Sequence, residues 1–139
     1  RGAGEIMSFV YPKAGDLAGD PIVGKGECVD LIKQFVPGLI GVTTQAWREG
    51  ANVMASPQLQ RGTAIATFFD GKFPHKDTGQ HAAMFLAHSG AGFWVIEQHK
   101  KSKTIIRRRI EIPRNGQRQA DRSFPNASNN ALAFSVIER

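Results

Sequence analysis

Gly24-Lys25-Gly26-Glu27-Cys28-Val29-Asp30-Leu31-Ile32-Lys33-Gln34-Phe35 carries the only cysteine of the 139-residue chain. Its apolar positions fall at 28, 31, 32 and 35, one stripe of a helix with Cys28 in the first turn. Pro37-Gly38 stops that helix after Val36, because proline supplies no N–H and restricts the residue before it. Free amide N–H groups and the positive end of the macrodipole gather at a helix N-terminus and favour a thiolate over a thiol. Gly24 and Gly26 allow a tight turn and close approach of a substrate. Cys28 therefore reads as a candidate nucleophile. The competing reading is a small apolar residue that starts a buried stripe.

Outward from this helix the chain divides into two halves. Residues 1–8 read as a loose lead-in or tag remnant, and residues 9–139 as a single domain. Pro12, Gly15, Gly19, Pro21 and Gly24 break the approach to the helix into a loop-rich segment with at most one short helix. Thr43-Thr44 can cap a second short helix through Trp47, Arg48 and Glu49, closed by Gly50. Strand signals follow at Gly62–Phe69, His81–Leu86, Phe93–His99, Thr104–Ile112 and Ala131–Ile137, with turn signals at Asp70-Gly71 and Ser89–Gly92. Helices first and strands afterwards predict an α+β domain, in which the N-terminal helix bearing the cysteine packs on an antiparallel sheet of about five strands. Trp47 reads as a core residue, with the lining of a cleft as its alternative.

A nucleophilic cysteine needs a base, and the base needs an orienting group. His75 and His88 fall in a loop and at a hairpin end, where exposure explains them. His81 opens an apolar strand directly after Gly79-Gln80, so the sheet can hold its backbone while the imidazole faces a cleft. Hairpin pairing sets the start of that strand beside the end of the next, Glu97-Gln98-His99. A strict two-residue turn at Ser89-Gly90 would oppose His88 to Ala91 and His81 to Gln98. One loop residue more or fewer brings Glu97 to that face, and other bulges bring His99. Periodicity leaves the three open.

One cysteine makes no internal disulfide. No apolar run reaches the length of a membrane span, and no signal-peptide order is present at the N-terminus. The formal charge is +6, and residues 100–139 hold ten Lys/Arg against three Asp/Glu. That basic segment suits an anionic partner such as a wall polymer or nucleic acid, or a strand edge protected from pairing. Thr104–Ile112 carries Arg107-Arg108-Arg109, with the first and third on one face. A single cysteine and four scattered histidines fit no zinc spacing, and Gly24-Lys25-Gly26 is no phosphate loop, so neither metal nor cofactor is expected.

A Gly-x-Cys at a helix start, then Gly79-Gln80-His81 opening one strand and Val95-Ile96-Glu97-Gln98-His99 ending the next, resembles the CHAP family. These are cysteine, histidine-dependent amidohydrolases/peptidases among the papain-like cell-wall hydrolases. Gly26-Glu27-Cys28, Thr44 with Trp47-Arg48-Glu49-Gly50, Gly62–Phe68 and His81-Ala82-Ala83 are also similar to a small bacterial family related to type VI secretion amidase effectors. The similarity runs from about Tyr11 to Ile137. The resemblance implies a papain-like fold of the CHAP type, with Cys28 as nucleophile, His81 as base and Glu97 as the orienting residue. It implies a peptidoglycan peptide as substrate, hydrolysis of a stem-peptide or cross-link amide through a thioester, and action as an antibacterial effector. An immunity protein joins the expected partners, and the expected place of action is the target-cell periplasm, reached without a signal peptide. His99 stands where family members commonly have Asn. The rival readings are a non-catalytic envelope- or nucleic-acid-binding module on this fold, and a cysteine hydrolase acting on a protein or acyl ester.

Overall fold

The computed structural model describes residues 8–76 and 78–139. Apart from Ser8, the lead-in expected over residues 1–8 lies outside them. One α-helix, α1 (Cys28–Phe35), precedes six strands: β1 (Arg48–Asn52), β2 (Ala64–Thr67), β3 (Ala82–His88), β4 (Gly92–Glu97), β5 (Ile106–Glu111) and β6 (Phe134–Glu138). All pair antiparallel in one sheet of order β1-β6-β2-β3-β4-β5. The fold is α+β, as expected, with six strands in place of about five.

The additional strand corrects the reading of residues 43–50. Thr44–Ala46 forms a single 3-10 turn, closed by the Trp47 N–H on the Thr44 carbonyl, and β1 starts at Arg48. Arg48-Glu49-Gly50-Ala51-Asn52 lacks the apolar alternation of a half-buried strand. It lies at the sheet edge on β6, where charged residues discourage further pairing. At the other end of the chain the final strand begins three residues later than expected, because Ala131–Ala133 is a 3-10 turn whose N-cap, Asn130, accepts the Leu132 N–H.

Alternation along the strands separates two apolar layers. Ala82, Met84, Leu86 and Ile96 face α1 and pack with Leu31 and Ile32, the centre of the helical stripe. Ala83, Phe85, Phe93, Val95, Ile110 and Phe134 form the opposite layer with Val53 and Ala131 from the connecting segments. Trp47 is wholly buried in the first layer and meets Phe73 edge-on at 5.1 Å between centroids, which settles it as core.

Candidate active site

The site is built from Cys28 at a loop-to-helix transition, His81 just before β3, Glu97 at the end of β4 and Arg108 of β5. The turn before α1 uses Gly24 at φ +59° and Gly26 at φ +83°, conformations in which a β-carbon is strained. Asp30, one turn into the helix, accepts the amide N–H groups of Lys25 (2.8 Å) and Glu27 (3.3 Å) and stops the turn from opening. Cys28 follows as the first helical residue and is partly exposed.

His81 is fixed by β2. Its backbone N–H donates to Thr67 Oγ1 at 3.0 Å, and its carbonyl accepts the Thr67 N–H at 3.0 Å. The imidazole is buried, lies edge-on to Phe134, and has Nε2 2.7 Å from Glu97 Oε1. Glu97 is its hydrogen-bonded side-chain partner, and Cys28 lines the same cleft. Because Nε2 is taken by Glu97, the Nδ1 edge is the one left for the cleft that His81 shares with Cys28.

Arg108 of β5 grips the same carboxylate with two arms, Nε to Oε2 at 2.7 Å and Nη2 to Oε1 at 3.0 Å. Its remaining N–H groups donate to Asn129 Oδ1 and the Ser128 carbonyl. The strand alternation expected for the three arginines holds: Arg107 stacks on Trp94 at 4.2 Å, while Arg108 turns to Glu97. Neither of these two guanidinium groups is left to solvent alone.

This arrangement separates the protonation states of the pair. Burial alone would lower the pKa of His81, but the hydrogen bonds and charges of Cys28 and Glu97 outweigh it and raise the value from 6.5 to about 9. Burial would raise Glu97, yet His81 and Arg108 hold it down at about 2. At neutral pH the pair is an imidazolium beside a carboxylate.

Cys28 and His81 open into a shared cleft of about 550 Å³, with Glu27, Lys33, His75 and Lys100 also on its walls. Lys100 Nζ lies 3.3 Å from Glu27 Oε1. A second cavity of about 330 Å³ reaches His81 and Glu97 from the Arg108 and Asn129 side. Among the described residues no group of three or more His, Cys, Asp and Glu side chains is placed to hold a metal ion.

The structure thus brings Cys28, His81 and Glu97 together. His99 is exposed at the rim, and its backbone pairs with Ser102. Gln98 turns away from His81 to the turn before α1. His88 is stacked on Phe85 and Phe93 and bonded to the Ser56 carbonyl, a structural place. His75 is an exposed loop residue, as expected, and also lines the cleft. Arg108 was not foreseen, although its position between two arginines on a strand already placed it on the other face.

A family model described as domesticated amidase effector 2 matches residues 7–125. A type VI secretion amidase effector 2 protein of Salmonella typhi is 34% identical over 136 residues, 95% of this chain and 100% of the relative. A domesticated amidase effector 2 of Ixodes scapularis is 36% identical over 96 residues, 68% of this chain and 65% of that protein. A solved structure of a type 6 secretion amidase effector 2 superposes with a TM-score of 0.85 at 34% identity, covering 93% of each chain. A helix-start cysteine facing a buried His–Glu pair thus sits on a fold and sequence shared along nearly the whole chain, which belongs to the amidase effector 2 family.

Proposed function

We propose that this chain is a papain-like peptidoglycan amidase of the CHAP type, hydrolysing an amide of the stem peptide or cross-link through a Cys28-His81-Glu97 thioester mechanism. The observation that carries the reading is one open cleft lined by both Cys28 and His81, with His81 backed by buried Glu97, in a member of an amidase effector family.

Cys28 Sγ attacks the scissile carbonyl carbon, and the charge that builds on the carbonyl oxygen is met by the Cys28 backbone N–H at the start of α1. His81 gives its proton to the amide nitrogen; the C–N bond breaks, the amine leaves, and a thioester remains. Neutral His81 then takes a proton from water, the hydroxide adds to the thioester carbonyl, and the C–S bond breaks. Sulfur departs as thiolate, a carboxylic acid is released, and the imidazolium is restored. Glu97 keeps the imidazole in one orientation and stabilises its charge through both halves of the cycle.

Lys33, Lys76 and Lys100 against Glu27 give the cleft walls a positive balance, which suits a substrate bearing carboxylates. The engagement of Arg107 with Trp94 and of Arg108 with Glu97 weighs against a nucleic-acid module built on β5. By likeness to the type VI secretion relative, delivery into a target-cell periplasm is the matching site of action, and an immunity protein is the matching partner. Cys28→Ala tests the reading: it should abolish release of new amino groups from purified peptidoglycan with the circular dichroism spectrum unchanged. Undiminished release would refute it, and mass spectrometry of the wild-type digest identifies the bond.

A further inference from the structure

The end of β4 addresses both halves of the site. Successive strand residues point to opposite faces, so Glu97 reaches His81 on one side of the sheet and Gln98 faces α1 on the other. Gln98 has no exposed surface. Its Oε1 accepts the Val23 N–H at 2.9 Å, and its Nε2 donates to the Val23 carbonyl at 3.0 Å and the Glu27 carbonyl at 2.8 Å. The carboxamide thus pairs with Val23 as a neighbouring strand would and adds a third bond one residue before Cys28.

That third bond acts on the next residue through covalent geometry. The Glu27 carbonyl and the Cys28 N–H belong to one planar trans peptide, so they point in opposite directions. Drawing the carbonyl toward Gln98 and the sheet turns the Cys28 N–H outward. The Glu27 carbonyl also accepts the Asp30 N–H at 3.1 Å from within the helix, so Gln98 adds the pull from the sheet side, and its two bonds to Val23 hold the carboxamide in place for it.

We propose that Gln98 is a positioning residue that sets the direction of the Cys28 backbone N–H, and so aims the donor that meets the developing oxyanion. The proposal rests on the reading of Cys28 as the nucleophile. Gln98→Leu removes all three bonds, and Gln98→Glu keeps the acceptor but cannot donate to both carbonyls. Removing one oxyanion donor lowers kcat by about 10²–10³, so a misdirected one should lower it at least about tenfold with KM little changed. Alkylation of Cys28 by iodoacetamide develops no oxyanion, so its rate should stay within about twofold of wild type.

Folded variants with wild-type kcat would overturn the proposal. So would a parallel loss of kcat and alkylation rate, which marks collapse of the loop. Where a variant does not fold, the unmutated protein decides: the Gln98 carboxamide protons should be protected from solvent exchange like a core backbone amide, and exchange as fast as that of an exposed glutamine would refute the clamp. In Gln98→Glu the amide resonance of Cys28 should also shift by more than those of α1 beyond Leu31, and an unmoved resonance would count against the aim. Neither of these two measurements requires substrate, so inactivity of the wild type on peptidoglycan would strike the functional reading and leave this one standing.

Discussion

His81 Nε2 and Glu97 Oε1 lie 2.7 Å apart because β3 contains one residue more than β4. His88 pairs with Phe93 and Ala87 with Trp94, but Phe85 pairs with Val95 and Met84 with Ile96, so Leu86 is a bulge. Without it the register at the hairpin end would give His81 the face of Gln98. With it, His81 shares a face with Glu97, which is reached as a diagonal neighbour. The same half-turn releases Gln98 to the opposite layer, where it meets Val23 and Glu27.

Glu97→Gln should separate the carboxylate's charge from its hydrogen bond. The amide oxygen can still accept from Nε2, but the charge that favours imidazolium is gone. The His81 pKa should fall below about 9, and kcat should drop by about 10²-fold or more. Imidazole resonances followed by pH titration and steady-state assays check both. Glu97→Ala leaves Arg108 and His81 without their buried anion and should cost about 3–5 kcal/mol of stability in urea unfolding.

Both shifts also predict the pH dependence of stability. His81 is raised on folding, so its contribution is complete below 6.5 and is lost as pH rises through about 9. Glu97 is depressed, so its contribution is complete above 4.5 and is lost as pH falls through about 2. Unfolding free energy from these two groups should be greatest between about pH 4.5 and 6.5, and the alkaline decline should flatten in Cys28→Ala, which removes one of the partners that raise His81. An alkaline decline of equal size in wild type and variant would contradict the assignment.

How far the site could be read from residues alone follows from the range of each signal. The helix stripe and its Pro37-Gly38 stop are local, and α1 formed where they indicated. The strands with strong apolar runs formed as well. β1 escaped because a polar edge strand is defined by pairing with β6, about 85 residues away along the chain. The choice between Glu97 and Gln98 depended on the bulge at Leu86, a packing decision that alternation cannot express. Arg108 was invisible as a partner until the register of β4 on β5 set Val95 opposite it and Glu97 one diagonal away.

Trp47 connects the core to the cleft through Phe73. It is fully buried, and its Nε1 has no hydrogen-bond partner among the described residues. Trp47→Ala should destabilise by about 3–5 kcal/mol. Trp47→Phe should cost far less, because it also removes an orphaned donor whose burial costs about 1–3 kcal/mol. Phe73 lines the cleft, so Trp47→Ala should also raise KM where Trp47→Phe does not.

Arg108 offers the sharpest separation of electrostatics from packing. Its fork holds both oxygens of Glu97, fixing the plane in which Oε1 meets His81 and keeping the carboxylate ionised. Arg108→Gln removes the charge and leaves a shorter polar side chain, so the Glu97 pKa should climb from about 2 toward 4.5. The acid limb of kcat/KM should move up with it, since a protonated Glu97 no longer favours imidazolium. Arg108→Lys returns the charge as a point without the two-armed geometry, so its limb should lie between the two. A residue that served only to cover the end of the sheet would lower Tm and leave the limb where it was, and that result would remove Arg108 from any account of the site.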